Sequence, residues 1–358
     1  MKKKILHVIY SGIGGTGSVT TSIISADKKK FFNSEVLFIG VEKVYSGYIE
    51  WCKHNKIKYY VGNKDYNFLQ RDIFVAKTVI KFKPDVLIFH NDNFITSALI
   101  SLIRGIKLVY IEHNPYAYRN FKNIILLNFI FIFFNKIVYL YDDYLNRILD
   151  RNVIAKIFKK KAIVINNGIT KVKNPFKIKS KYFRIGMVSR FSKGKLQQVL
   201  VKSMDNLKSK GILIKLMLVG YGENYNNISH EIKLRNLNKY VSLRKSIPEN
   251  KLKKWFSNLD LYCHLSIDEG LSTAILHAMS NNTLLLVSKN KGNNFLGNNA
   301  IYTKNNTEDV SKKIVIIKNN FFKYRKKINK ANIFFNNNFT NTIMFKKYKN
   351  LITEFYDK

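Results

Sequence analysis

The segment Ser266-Ile-Asp-Glu-Gly-Leu-Ser-Thr-Ala-Ile-Leu-His-Ala-Met279 follows a β-rich apolar run, Leu259 to Leu265, and opens a helical one. Glu269 and Gly270 stand directly before the apolar stretch that reads as the helix. Backbone amides at a helix start, together with the helix dipole, suit a phosphate. Glu269 beside them can accept hydrogen bonds from sugar hydroxyls.

The same strand-then-helix pattern runs outward in both directions. Phe183 to Ser189 reads as a strand, Gln197 to Lys208 as a helix, and Ile212 to Val219 as a strand that ends in Gly220-Tyr-Gly222. Tyr240 to Leu243 and Thr283 to Val287 extend the series. In the first half, Ile5 to Tyr10, Glu35 to Ile39, Val86 to Phe89, Leu108 to Glu112 and Ile137 to Leu140 read as parallel strands separated by helix-length segments. Between the halves the pattern breaks into the polar, basic stretch Lys171 to Lys181. The fold class expected is therefore α/β, with two tandem Rossmann-like domains facing a central cleft. Their expected bounds are 1–172 and 173–340. An amphipathic tail over 341–358, with Ile343, Tyr348, Leu351, Ile352 and Phe355 at helical spacing, is expected to pack back on the first domain.

A chain of 358 residues suffices for two such cores. Lys and Arg number 62 against 23 Asp and Glu, a formal charge of +39 that would attract polyanions such as nucleic acid, acidic lipid or phosphorylated substrates. Heavy use of Lys, Asn and Ile throughout offers compositional bias as the rival explanation. No RNA-binding signature, zinc finger or basic recognition helix accompanies the charge, so a nucleic-acid partner is not expected. Cys52 and Cys263, far apart in regular segments, make neither a disulfide framework nor a metal cluster, which suits a reducing cytoplasm. The basic then apolar start, Met1 to Tyr10, runs straight into glycines and reads as a first buried strand rather than a signal peptide. The most apolar segment, Ile124 to Phe134, is too short to span a bilayer. It reads as a buried helix, or else as a shallow docking surface whose flanking Lys122 and Lys136 would meet anionic lipid.

Gly12-Ile-Gly14-Gly15-Thr16-Gly17 follows the first strand and fits G-x-G-x-x-G. A plain tight turn, a phosphate loop, or an NAD site with Glu42 as its acid all fit these residues. Arg190 and Lys195 flank the junction between the strand ending at Ser189 and the helix starting near Gln197. Two cations there can clamp a diphosphate, the Arg as a planar fork and the Lys as a point charge. A solvated basic turn is the alternative.

In order and spacing these pieces resemble the family 4 retaining glycosyltransferases of the GT-B fold. Ser189-Arg190 with Lys195 is similar to that family's G-R-L-x-x-x-K-G, Gly220 and Gly222 to its G-x-G, and Ser266 with Glu269-Gly270 to its S-x-x-E-G. Ala162-Ile-Val-Ile-Asn-Asn167-Gly168-Ile169 resembles the end of its first domain. Pro84-Asp85-Val-Leu-Ile and Val109-Tyr-Ile-Glu-His113 resemble first-domain strands that face the cleft. The resemblance implies that Arg190 and Lys195, with the amides of Gly270, Leu271 and Ser272, neutralise the donor diphosphate. Glu269 would bind the donor sugar. His113 would reach sugar or phosphate. Gly220, Gly222 and His277 would serve the nucleotide, and Gly14, Gly15 and Thr16 would line the acceptor side. No metal or cofactor is implied, the nucleoside-diphosphate sugar being a substrate, and Asp142-Asp143 read as structural acids at a helix start.

Two departures stand out. Leu196 follows Lys195 where the family has Gly. His277 replaces the second Glu, and an imidazole can accept only one hydrogen bond where a carboxylate accepts several, a loss of about 1–3 kcal/mol in donor binding. His90, at a strand end near the cleft, and His264, a core-filling position, are weaker candidates. The expected activity is transfer of a hexose-type sugar with retention, UDP-sugar favoured, to a polyprenyl-linked or other saccharide hydroxyl at the cytoplasmic membrane, in surface polysaccharide assembly. An inactive or purely nucleotide-binding relative, and an NAD-dependent oxidoreductase using Gly12 to Gly17, are the rivals.

Overall fold

The computed structural model describes residues 2–90, 95–113, 121–178, 180–212, 214–247 and 249–357. It divides into two compact units, Met1–Thr170 with Thr340–Lys358, and Lys171–Phe339.

Unit 1 runs β1 (Lys3–Tyr10), α1 (Gly15–Ala26), β2 (Phe32–Ile39), α2 (Ser46–His54), β3 (Tyr59–Val61), α3 (Phe68–Phe82) and β4 (Val86–His90). It continues through α4 (Ile95–Ile103), β5 (Lys107–Ile111), α5 (Phe121–Phe133), β6 (Lys136–Tyr139), α6 (Asp142–Arg151), α7 (Val153–Ile157) and β7 (Ala162–Val164). The strands pair in parallel in the order β3-β2-β1-β4-β5-β6-β7. Such a sheet, with both faces covered by helices, needs near-continuous apolar strands. Ile5, Leu6, Val8 and Ile9 of β1 and all five residues of β4 are accordingly buried. The order reverses between β1 and β4, and the carboxyl ends of those strands are where open α/β sheets hold ligands. The Gly12 to Gly17 turn leaves β1 at that point, and His90 ends β4 there.

Unit 2 runs β8 (Phe183–Val188), α8 (Gln197–Ser209), β9 (Ile214–Val219), α9 (Tyr225–Leu234), β10 (Val241–Arg244) and α10 (Glu249–Ser257). Then come β11 (Leu261–His264), α11 (Thr273–Ser280), β12 (Leu284–Ser288), β13 (Ile301–Thr303), α12 (Thr307–Asn319) and α13 (Arg325–Asn338). Its sheet is parallel too, in the order β10-β9-β8-β11-β12-β13. Met187, Leu200, Leu216, Cys263 and Leu286 lie in its core. The basic connection that opens the unit is stitched to it. Lys177 Nζ donates to Leu259 O at 2.8 Å and Thr283 Oγ1 at 2.7 Å, and the Ile178 amide donates to Ser257 O at 3.0 Å.

The α/β class with two parallel sheets is as expected from the alternating pattern. The final helix, α14 (Asn341–Thr353), belongs to unit 1 and buries Met344, Phe345, Tyr348, Leu351 and Ile352, lying against α1. The segment read as a buried helix departs from that expectation. Leu127, Ile130, Phe131 and Phe134 are buried, yet Ile125 is 55% and Ile132 42% exposed. A helix apolar all round gives no sequence signal of which side faces the core. Among the described residues, no helix is long and apolar enough to cross a membrane.

Candidate active site

In unit 2 the chemistry gathers around one carboxylate. The segment after β8 and the segment after β11 run antiparallel: Leu196 N–H donates to Leu265 O and Ile267 N–H to Gly194 O, both at 3.0 Å. This pairing carries Lys195 to Glu269, and Lys195 Nζ donates to Glu269 Oε1. The same oxygen meets His264 Nε2 at 2.7 Å. Behind it, the Tyr262 hydroxyl lies 3.1 Å from His264 Nδ1 and 3.1 Å from Val188 O. An ionised carboxylate can only accept, so His264 Nε2 donates to Glu269. Glu269 is buried, at 7% exposure. Burial alone would raise its pKa. The charges and hydrogen bonds of Lys195 and His264 outweigh that and hold it at about 2.

The loop carrying Glu269 is clamped by polar side chains. Asn290 and Asn305 each donate an amide hydrogen to Ser266 O at 3.1 Å, and the Ser266 amide donates to Ser288 Oγ at 2.9 Å. α11 then begins at Thr273. Ser272 stands at the N-cap position in an extended conformation, and no side chain caps the helix. Gly270, Leu271 and Ser272 lead into this start, so the first-turn amides and the dipole of α11 lie at the end of the Glu269 loop.

Arg190 is exposed, with its guanidinium 5.7 Å from the centre of the Tyr221 ring. Gly220 and Gly222, at φ of +149° and +140°, pack on the backbone that carries it. A Cβ on Gly220 would come within 1.9 Å of Ser189 O, and one on Gly222 within 2.4 Å of Phe191 O. This close approach accounts for both glycines without a ligand. His277 lies on α11 with its ring stacked on Phe256, centroids 5.8 Å apart and planes at 17°. Burial pushes its pKa down to about 4, so at neutral pH it is a neutral ring.

Unit 1 holds the remaining expected residues. The Tyr48 hydroxyl donates to Gly14 O at 2.9 Å and accepts from Gly14 N–H at 3.2 Å. A Cβ on Gly17 would come within 2.2 Å of the Tyr48 ring, whereas around Gly14 and Gly15 nothing lies within 4 Å of such an atom. Gly17 is thus required by packing, and Gly14 and Gly15 face open space. The carboxylate of Glu42 packs against Gly12. Thr16 lies in the first turn of α1 and accepts the Thr20 hydroxyl proton at its carbonyl, 2.9 Å away. His113 follows β5 and stacks on His90, centroids 5.3 Å apart at 17°, with His90 Nδ1 3.1 Å from His113 Nε2. Burial lowers the pKa of His113 to about 3.

The fold therefore brings Lys195 and Glu269 into contact and sets the start of α11 next in the chain. Arg190 stands beside Tyr221, and His277 stands against Phe256. His264 is corrected from a core filler to a direct partner of Glu269. Asn290 and Asn305 carried no signal in the sequence, because their partner is a backbone carbonyl some 24 and 39 residues away. Asp142 and Asp143 are exposed in the first turn of α6, where acids complement the helix dipole.

Residues 168–333 match the family described as Glycosyl transferases group 1. Protein CapJ of Staphylococcus aureus is 30% identical over 175 residues, 45% of this chain and 45% of that protein, so the match reaches less than half of the relative's length. HepE of Anabaena in complex with UDP-glucose superposes with a TM-score of 0.81 at 16% identity, over 98% of this chain and 100% of that one. A Staphylococcus aureus TarM variant in complex with UDP gives 0.77 at 13% identity, over 98% and 99%. The fold is that of these structures, GT-B, and the resemblance read from the motifs is borne out.

A double-mutant cycle with Lys195→Met and Glu269→Gln is expected to show coupling of about 2 kcal/mol at pH 7. Glu269 has a folded pKa of about 2 against an ordinary 4.5, so its contribution is fully present above 4.5 and is lost as pH falls toward 2. Urea midpoints of the four proteins at pH 7 and pH 3 measure both statements; additivity at pH 7 contradicts the pairing.

Proposed function

We propose that this chain, whose residues 168–333 carry the group 1 glycosyltransferase module, moves a hexose from a nucleoside-diphosphate sugar to a saccharide hydroxyl. The observation that carries this reading is the buried, ionised Glu269 beside Lys195 and ahead of the uncapped start of α11. An ionised carboxylate accepts from sugar hydroxyls, while an ammonium and helix-start amides receive a diphosphate. Lys195 Nζ, which donates to Glu269, carries three protons and can serve the carboxylate and a donor phosphate oxygen together. Arg190, exposed at the end of the β8 loop, adds a second cation to the leaving diphosphate. Uridine is the favoured base because HepE, whose fold this chain shares, holds UDP-glucose.

The catalytic contribution is charge stabilisation of the departing diphosphate and positioning of the sugar. Same-face attack, with the leaving phosphate taking the acceptor proton, accounts for retention without a protein nucleophile. Metal independence follows the same logic: Lys195, Arg190 and the α11 amides supply the positive charge. The neutral ring of His277 leaves the ribose with a weaker partner than a carboxylate.

The acceptor is proposed to be lipid-linked, in assembly of a surface polysaccharide such as O-antigen, capsule or lipooligosaccharide, on the cytoplasmic face of the inner membrane. On unit 1, α5 and α7 pack together and present Phe121, Ile125, Val153 and Ile157 to solvent, each more than half exposed. Exposed Arg151, Lys156, Lys159 and Lys160 lie on or beside α7. Apolar side chains among cations suit an anionic bilayer surface.

A thermal-shift series with UDP, GDP, ADP and NAD is expected to give its largest stabilisation with UDP and none with NAD. Glu269→Ala is expected to lose about 10³-fold in transfer from the matching sugar nucleotide; full retained activity would refute the assignment of that residue. In sedimentation with vesicles containing anionic lipid, the protein is expected to pellet at low salt and less so at moderate salt. No pelleting at either salt removes the membrane part of the reading.

A further inference from the structure

α4 is amphipathic in the reverse sense for a helix that covers a sheet. Ser97, Ala98 and Ser101 are its buried residues, while Ile95, Leu99 and Ile103 are exposed, Ile103 to 87%. A surface helix ordinarily turns its apolar stripe to the core and its polar side to water. Here the small buried side seats α4 against α3 and β5, and its polar atoms are satisfied on the spot. Ser101 Oγ donates to Ser97 O at 2.6 Å, and the Thr96 and Ser97 amides donate to the Asp72 carboxylate of α3 at 2.7 and 2.9 Å. The large apolar side is left to whatever lies outside the fold.

α3 continues this surface. Leu69, Ile73, Lys77 and Ile80 follow one another at helical spacing, and all four are exposed. Exposed Lys81 and Arg104 add charge near the carboxyl ends of the two helices. Asp72 is the one acid in either helix, and it is buried where it caps α4. The sheet order extends the face further. The chain steps one way across the sheet from β1 to β3 and returns the other way from β3 to β7. Right-handed crossovers put the helices of the two series on opposite faces. α3, α4, α5 and α7 therefore share a face, and α5, which exposes Ile125 and Ile132, comes between α4 and α7.

We infer that α3 and α4 form a second lipid-contacting surface, continuous with the α5–α7 patch, so that unit 1 lies on an anionic bilayer along this whole helix layer. The inference rests on the membrane part of the reading above and widens it from a patch to a face. The exposed apolar chains enter the headgroup boundary, and the lysines and arginine among them meet anionic phosphates. A second copy of the chain is a poor occupant, because it would set like charges against one another with no exposed acid on either helix to answer them. Packed helices stand about 10 Å apart, so a layer several helices wide is broader than one partner helix covers and matches a planar partner.

Cys52 and Cys263 are both buried, so Ile103→Cys, Ile157→Cys and Lys53→Cys each take a polarity-sensitive fluorophore selectively. Position 157 reports the α5–α7 patch, and position 53, exposed on α2, reports the opposite face. With vesicles of phosphatidylcholine and phosphatidylglycerol, the probes at 103 and 157 are expected to brighten severalfold and shift to the blue, and the probe at 53 to stay unchanged. Brightening at 157 alone overturns the inference and leaves the α5–α7 patch as the membrane contact. No brightening at any position removes the membrane reading itself, and the inference with it. Brightening at 103 that needs no vesicles and grows with protein concentration assigns the face to self-association and equally overturns it. Leu99→Ser combined with Ile103→Ser is expected to lower partitioning onto these vesicles at least about tenfold with an unchanged thermal midpoint; undiminished partitioning contradicts the role of α4.

Discussion

A carboxylate taken out of water must be paired, and Glu269 is the point at which that requirement organises unit 2. Its pairing needs a cation from the turn after β8 and a ring donor from the end of β11, five residues before it, so two segments distant in the chain must meet at one oxygen atom. The antiparallel contact between 194–196 and 265–267 is the backbone expression of that demand. The Asn290 and Asn305 amides complete it by satisfying the Ser266 carbonyl. Loss of any one of these groups removes a hydrogen bond from the Glu269 carboxylate or from the Ser266 carbonyl.

The two units solve the problem of buried polar groups in opposite ways. Unit 2 keeps an ionised carboxylate by surrounding it with donors. Unit 1 buries imidazoles as neutral rings that satisfy one another in a row. The first arrangement suits a ligand with a diphosphate and hydroxyls. Neither site draws on the glycines in the way a bare motif search suggests: Gly17, Gly220 and Gly222 are there because neighbouring atoms leave no room for a side chain.

Much of this was legible in the sequence where a physical period or a chemical pair repeats. Continuous apolar strands alternating with helix-length segments gave the parallel α/β reading, and the spacing of Lys195 and Glu269 to their helices marked the carriers of charge. The short edge strands β3 and β13 escaped because three residues hold no period. The facing of α5 escaped because it is apolar on every side. His264 was read as filling space, since a buried strand residue looks the same whether its ring touches methyl groups or a carboxylate. The His7–His90–His113 row joins three strands whose order in the sheet is not written in their order along the chain. That order is a property of the crossover between β3 and β4, not of any local pattern.

Lys195 and Glu269 are proposed to meet as two members of one diphosphate-sugar site. Calorimetric titration of UDP into the wild-type chain and into a folded Lys195→Met variant tests it most directly. Binding of one UDP per wild-type chain, weakened at least about tenfold in the variant, is the expected result, as for loss of a charge-assisted hydrogen bond. Equal affinity in the two proteins would contradict it, and would leave the Lys195–Glu269 pair as a fastening of the loop alone.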